Sequence, residues 1–333
     1  MTWLDGLTDD ERAVLRPAPQ PRSLAPMLAT LSRDVQIDRP GWIYERKLDG
    51  QRIIAFCEGA DVRLRSRTDK SADAAYPEIV DALHAQVGSD CVLDGEVVAF
   101  DGTATSFPLL QARMHQSDPE VSRRSPVRVH YVVFDIVHLD GIDLTRLPLR
   151  RRKALVRAAL DPGGPLRVAT HRNRGSALFA EACAKGWEGI IAKRGDAPYQ
   201  ARRSPDWLKF KCEAGQELVV GGWTEPKGSR TELGALLVGY RDGGAWVFAG
   251  RVGTGFDEAT LRSLGAELRA IERDAPAFAA HPALPRRDVH WCEPQIVVQV
   301  AFTEWTPDGQ MRHPRFLGIR RDKDPLEISR EVS

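Results

Sequence analysis

An amine, a carboxylate, a glycine and a guanidinium follow one another in Glu45-Arg46-Lys47-Leu48-Asp49-Gly50-Gln51-Arg52, just past the apolar run Trp42, Ile43, Tyr44. That order reads as a strand ending in a tight turn, which would offer Lys47 as a nucleophile toward phosphorus while Arg52 holds the electrophile's negative charge. Alone, it could equally be an exposed lysine in a turn, so the chemistry must be matched elsewhere in the chain. Side chains on a strand alternate between faces. In 207–212, Lys209 and Lys211 therefore share one side and Leu208 and Phe210 the other. Glu45 and Lys47 project together, and Arg63, Arg65 and Arg67 oppose Val62 and Leu64. An edge strand explains any one of these, whereas several cationic faces in one domain point to a phosphate-binding cleft. Glu96 and Glu188 stand in otherwise apolar strands, where an unpaired charge is costly. Each reads as an ion-pair partner or as an oxygen ligand for Mg²⁺ or Mn²⁺. Phe134, within 131–136, reads as a core aromatic or as a ring that stacks on a base.

The elements that must hold these residues mix strands and helices. Strand-like runs at 53–56, 62–67, 92–100 and 131–139 alternate with helical patterns. One helix opens at Pro77 with Ile79, Leu83 and Val87 along a side, and a second carries Leu155, Val156, Ala159 and Leu160. A third lies between Ser176 as N-cap and Gly186 as stop. No regular strand-helix rhythm appears, so an α+β domain built from antiparallel sheets with flanking helices is expected. Upstream, 1–22 reads as a short helix and a stiff connector, because Pro17, Pro19 and Pro21 cannot continue a helix. Beyond Cys212, strands at 218–223, 233–240, 246–252, 296–302 and 316–319 surround one helix that Asp257 can cap, with Leu261, Leu264, Leu268 and Ile271 as its seam. Such a set predicts an all-β OB-fold barrel with an inserted helix. The expected divisions are an extension over 1–22, a first domain over 23–213 and the barrel over 214–333, with a boundary near 211–216.

Over 333 residues, 47 Lys and Arg nearly balance 46 Asp and Glu, so a polyanionic partner must be met by local basic surface such as 150–153, 202–203 or 320–323. Five scattered cysteines with no C-x-x-C pair argue for reduced, buried thiols in a cytoplasmic protein, against a zinc site or disulfide framework. No apolar run reaches membrane-spanning length and no signal-peptide core opens the chain, so a soluble protein without a membrane partner is expected.

Taken in order, Lys47-Leu-Asp-Gly-Gln-Arg52 matches K-x-D-G-x-R, followed by Leu64-Arg-Ser-Arg67, Leu93-Asp-Gly-Glu96, Val133-Phe-Asp135, Glu188-Gly-Ile-Ile-Ala-Lys193, Trp207-Leu-Lys-Phe-Lys211 and Arg320-Arg-Asp-Lys323. This series resembles the covalent nucleotidyltransferases and, within them, the ATP-dependent DNA ligases. From about residue 23, segments 25–30, 221–223, 248–255 and 303–307 are similar to the ligase module of bacterial multidomain end-joining ligases, here expected as a stand-alone chain. The resemblance implies ATP-dependent sealing of 5′-phosphate/3′-hydroxyl nicks through lysyl-AMP and DNA-adenylate, in DNA repair or end joining. It implies that Lys47 is the nucleophile, Glu45 meets the adenine edge and Phe134 stacks on the base. Arg52 and Arg67 would hold ribose or phosphates, and Lys209 and Lys211 the α-phosphate. Glu96 would meet ribose or a metal, with Asp49 and Glu188 the nearer metal neighbours. Arg320, Asp322 and Lys323 would reach the pyrophosphate when the barrel closes about a hinge at 211–216. The cations Arg52, Lys209 and Lys211, together with a metal, would help lower the Lys47 pKa, while the charge of the triphosphate opposes this, and the sequence leaves the balance open. Implied partners are nicked duplex DNA, bound without sequence specificity, and a Ku-like end-binding protein, with the chain acting as a monomer. An RNA ligase or a GTP-using capping-type enzyme is the alternative within the superfamily, and a catalytically silent nucleic-acid-binding module the alternative outside it.

Overall fold

The computed structural model describes residues 3–331 except 33, 35, 213, 227–231, 280, 282 and 286. Two compact units divide after Cys212.

In the first unit the chain runs α1 (Asp9–Val14), β1 (Arg16–Pro17), β2 (Leu28–Leu31), β3 (Trp42–Lys47), β4 (Gln51–Glu58), β5 (Asp61–Ser66), α2 (Pro77–Gln86), β6 (Cys91–Asp101), β7 (Ala104–Thr105), α3 (Phe107–Met114), α4 (Pro119–Arg123), β8 (Val129–Leu139), β9 (Ile142–Asp143), α5 (Leu149–Ala159), β10 (Leu166–Val168), α6 (Gly175–Ala184), β11 (Gly189–Arg194) and β12 (Arg203–Lys211). The long apolar runs of β4, β6 and β8 form the middle of an eight-stranded sheet ordered β1-β9-β8-β6-β4-β5, with β10 beside β8 and β7 beside β6. A second sheet is ordered β2-β12-β11-β3. Pairing is antiparallel except where β10 meets β8 and β2 meets β12. One face of the large sheet packs Ile53, Leu93 and Val133 against Ile79 and Leu83 of α2 and Leu155 and Val156 of α5. Its opposite face turns Ile54, Phe56, Val92 and Phe134 toward Trp207 of the second sheet, together with Met27 and Tyr199. The far side of that second sheet (Tyr44, Ile190, Leu208, Phe210) is covered by Leu178 and Ala182 of α6. This layering leaves the space between the two sheets as the place where their polar side chains meet.

Local rules account for most elements and fail at three. Pro77 occupies the first helical turn of α2, where a missing N–H costs nothing. Gly186 stops α6 with φ of 66°. Ser176, expected as the N-cap of α6, lies inside the helix: its hydroxyl and N–H and the Gly175 N–H all donate to Asp38, a cap supplied from 137 residues upstream. The segment expected as a connector is partly docked, since Arg16–Pro17 extend the edge of the large sheet against β9 and Glu11 pairs with Arg151 at 2.8 Å. The expectation of five reduced cysteines is overturned: Cys183, at the end of α6, and Cys212, just beyond β12, form a disulfide, while Cys57, Cys91 and Cys292 are the buried thiols anticipated. Turning the chain back through β11 and β12 brings the two sulfurs together, a juxtaposition that a 29-residue spacing does not announce.

The second unit comprises β13 (Ala214–Thr224), β14 (Leu236–Asp242), β15 (Ala245–Val252), α7 (Glu258–Ala270), β16 (Glu272–Arg273), β17 (Val289–Phe302), β18 (Glu304–Trp305), β19 (Met311–Arg312) and β20 (Arg315–Ile319). Its main sheet is ordered β15-β14-β13-β17-β16, with β20 on β17 and β18–β19 as a separate hairpin. Asp257 accepts from the Thr260 N–H and caps α7 as expected. Leu264 and Leu268 of α7 enter a core with Val219, Val238 and Val298. The strands fall where the sequence predicts, with β17 beginning seven residues before the expected run at 296.

Candidate active site

Register decides which side chains can meet. Lys47 and Lys211 both lie opposite Gly189, Glu45 and Lys209 both opposite Ile191, and Ile43 and Trp207 both opposite Lys193. Directly opposed residues point to the same side of a sheet. One face of the small sheet therefore gathers Glu45, Lys47, Lys193, Trp207, Lys209 and Lys211, while the apolar residues between them face α6. Gly189 is required at the centre: its φ is 145°, and a Cβ there would sit 1.9 Å from the Phe210 carbonyl oxygen.

Lys47, the last residue of β3, pairs with Glu188, which directly precedes β11, at 2.5 Å. Burial is the largest single influence and lowers the Lys47 pKa, but the charge and hydrogen bond of Glu188 and the charges of Asp49 and Glu96 together exceed it, so the amine is held above its ordinary value. Without nucleotide or metal, the charges that act on the amine most strongly are carboxylates. Asp49 anchors the turn after Lys47. Its N–H donates to Thr105 Oγ1 at 3.0 Å, and its carboxylate accepts from the Phe107 N–H at 3.3 Å, at the start of α3.

From the large sheet, Arg52 stands opposite Glu96 in the register of β4 and β6. Its guanidinium grips Asp94 through two bonds of 2.5 and 2.7 Å, donates to the Met27 carbonyl at 3.2 Å and lies 4.5 Å over the Phe134 ring. Asp94 is fully buried and also accepts from the Tyr199 hydroxyl at 2.7 Å, and that hydroxyl accepts from the Met27 N–H at 2.9 Å. Sequence reasoning singled out Glu96, which is only half-buried, and passed over Asp94 two residues earlier on the same face. Tyr199 carried no local signal at all.

Glu45 is only 3% exposed, and each of its oxygens meets an ammonium: Lys153 at 2.5 Å and Lys193 at 2.7 Å. Burial pushes this carboxyl up, but the two lysines prevail and hold it ionised. Lys193 in turn lies in the corner made by the edge-on rings of Phe134 and Trp207, 4.1 Å from each centroid. Neither lysine had been assigned a role, since Lys153 reads as part of a solvated basic run and Lys193 as the end of an apolar strand. Arg67 sits half-buried one residue beyond β5, and Lys209 and Lys211 are half-buried on the shared face.

In the second unit Arg320 holds Asp322 through bonds of 2.9 and 2.8 Å, and Lys323 meets Glu217 at 3.0 Å. Arg320 overcomes the effect of burial and keeps the Asp322 carboxyl below its usual range.

A lysine on a strand face set among carboxylates, cations and a base-sized aromatic, in an α+β unit followed by an OB-fold, defines a two-domain nucleotidyltransferase. Residues 26–211 match the family described as ATP dependent DNA ligase domain, and residues 229–323 match the ATP dependent DNA ligase C terminal region. The chain belongs to the ATP-dependent DNA ligase family. It is 36% identical over 321 residues to the multifunctional non-homologous end joining protein LigD of Pseudomonas aeruginosa, covering 94% of this chain and 37% of that one. DNA ligase C2 of Mycolicibacterium smegmatis is 32% identical over 280 residues, covering 79% of this chain and 78% of the relative. The solved structure of mycobacterial DNA ligase D complexed with ATP and MES superposes with a TM-score of 0.66 at 35% identity, over 92% of this chain and 98% of that one. The chain spans about 40% of the length of the mycobacterial LigD proteins it matches.

Proposed function

We propose that this chain seals 5′-phosphate/3′-hydroxyl nicks in duplex DNA with ATP, in DNA repair or end joining. The observation that carries the reading is Lys47, paired with Glu188 on a face shared with Glu45, Lys209 and Lys211. The neutral Lys47 amine attacks the α-phosphorus of ATP, an N–P bond forms as the bond to pyrophosphate breaks, and lysyl-AMP results. The 5′-phosphate at the nick then displaces the lysine, and the neighbouring 3′-hydroxyl displaces AMP. Such transfers depend on positioning and charge stabilisation. Lys209 and Lys211 hold the α-phosphate, Arg52 and Arg67 the ribose or phosphates, Phe134 the base and Glu45 the adenine edge. Arg320, Asp322 and Lys323 engage the pyrophosphate when the second unit closes about 211–216.

Among the described residues no cluster of three or more His, Cys, Asp or Glu side chains is ready for a metal. This fits an ion that arrives on triphosphate oxygens and takes one or two carboxylates. Glu188 and Asp49 are the hard oxygen donors for it, while Glu96 meets the ribose or the same ion. Mg²⁺ or Mn²⁺ bound there would neutralise phosphate charge. The DNA backbone supplies most of the contact, so binding is independent of sequence and weakened by salt. A Ku-like end-binding partner and action as a monomer complete the reading. Nicked DNA and nicked RNA, each offered with ATP or GTP, test it: sealing of DNA with ATP is expected, and a preference for RNA or GTP would overturn it in favour of an RNA ligase or capping-type enzyme.

A further inference from the structure

We infer that Arg46 and Trp187 are positioning residues that set the Lys47 amine and the Glu188 carboxylate against each other from the opposite face of the small sheet. This rests on the reading of Lys47 as the residue that accepts AMP. The ladder between β3 and β11 ends at the pair Lys47 and Gly189, so Glu188 stands outside it. The Glu188 carbonyl accepts from the Cys212 N–H on the β12 side, which leaves the β3 side to side chains. Arg46 is the residue before Lys47 and Trp187 the residue before Glu188, and their side chains meet: the guanidinium lies 4.0 Å over the indole ring.

Both side chains sit on the face toward α6. Arg46 is in register with Ile190, one of the apolar residues packed against that helix, and Trp187 packs into the same cluster. Trp187 follows Gly186, the stop of α6, and its main-chain N–H donates to the Ala182 carbonyl at 2.8 Å, so the end of the helix delivers the ring. The indole N–H has no hydrogen-bond partner among the described residues, and neither do Nε and Nη2 of Arg46. Stacking therefore holds the pair, and Trp is the ring that attracts a cation most strongly, the more so where water is excluded. The remaining guanidinium nitrogen, Nη1, donates to the Thr103 carbonyl at 2.9 Å, two residues before the Thr105 hydroxyl that accepts from the Asp49 N–H. One side chain thus joins three pieces: the end of β3, the segment that carries Glu188, and the β6–β7 turn that holds the residues after Lys47. An amine that attacks phosphorus depends on its line of approach, and a displacement of about 1 Å is enough to cost roughly a hundredfold in rate.

The test measures single-turnover self-adenylylation over a range of α-labelled ATP concentrations in the wild type, R46M, W187L, W187F and the double variant R46M/W187L. Thermal unfolding of each is recorded alongside, and the rates are taken well below every melting temperature. R46M and W187L are each expected to lower the maximal rate roughly tenfold or more, while the half-saturating ATP concentration stays within about twofold, because both residues lie behind the nucleotide face. W187F keeps an aromatic face for the guanidinium and retains most of the wild-type rate. The double variant loses no more than the worse single one, since the two side chains act as a unit. If R46M does not fold, W187L against W187F makes the same comparison from the other side. A lowered melting temperature with the maximal rate within about twofold of wild type in both single variants would mean that the stack merely stabilises the sheet, and would overturn the inference. Losses that multiply in the double variant, or a change confined to the half-saturating concentration, would overturn it as well. Absence of label in the wild type would instead remove the underlying reading of Lys47.

Discussion

At the scale of single residues, the buried carboxylates explain the site better than its cations do. Asp94 takes two bonds from Arg52 and one from Tyr199, so the guanidinium over Phe134 is held by a group that water does not reach. Removing the Tyr199 hydroxyl leaves Asp94 one donor short and the Met27 N–H without its acceptor. Tyr199→Phe should therefore cost about 1–3 kcal/mol in denaturant unfolding, the range for leaving buried polar groups unsatisfied. A cost indistinguishable from zero would mean that water replaces the hydroxyl and that Tyr199 is not part of the brace. None of this was legible locally. The face of Glu45, Lys47, Lys209 and Lys211 follows from alternation along strands, and the sequence places it correctly. The partners of Glu45 lie 108 and 148 residues downstream, and Tyr199 lies 105 residues from Asp94. Contacts at such separations come from sheet order and crossover, which no window of residues encodes.

At the scale of elements, β11 and β12 carry Lys193, Lys209 and Lys211 and end at a covalent tie. The Cys212 N–H donates to the Glu188 carbonyl at 3.1 Å, so the Cys183–Cys212 link closes the loop that bears the partner of Lys47. A crosslink spanning 29 residues restricts the unfolded chain by about 3.6 kcal/mol in the loop-entropy account. Dithiothreitol should lower the melting temperature of the oxidised protein, and Cys183→Ser should show the lower value with no further response to reductant. An identical response in Cys183→Ser would assign the effect elsewhere. In the second unit His290 stacks on Trp223 at 4.9 Å, with Glu225 and Glu272 at its two ring nitrogens, and these carboxylates raise the imidazole pKa against the smaller effect of burial. For a raised pKa the stabilisation is complete below the unfolded imidazole value and disappears as pH climbs through the higher folded one. The melting temperature of the wild type should thus fall from pH 6 to pH 9 more than that of H290Q. Parallel curves would show that the pair of carboxylates does not act through protonation. The strands and helix of this unit were legible because each has its own alternation or seam. The cap of α6 was not, because Asp38 reaches it from outside the helix.

For the whole molecule, the proposed reaction divides between the two units. Arg320, Asp322 and Lys323 lie in the second unit and Lys47 in the first; pyrophosphate leaves in the first proposed step, so the proposed role of this cluster there is confined to that step. Asp322→Ala, which frees Arg320 from its bidentate partner, should slow self-adenylylation at least tenfold while leaving the sealing of a pre-adenylylated nick within a factor of about two. Equal losses in both assays would show that this cluster serves a step common to both. The central claim rests on the Lys47 amine, which pairs with Glu188 on the cationic face. Incubation with α-labelled ATP and a divalent metal, followed by denaturing electrophoresis, measures it directly. Label that survives denaturation in the wild type and vanishes in Lys47→Ala is the predicted result; label that persists in Lys47→Ala would contradict it.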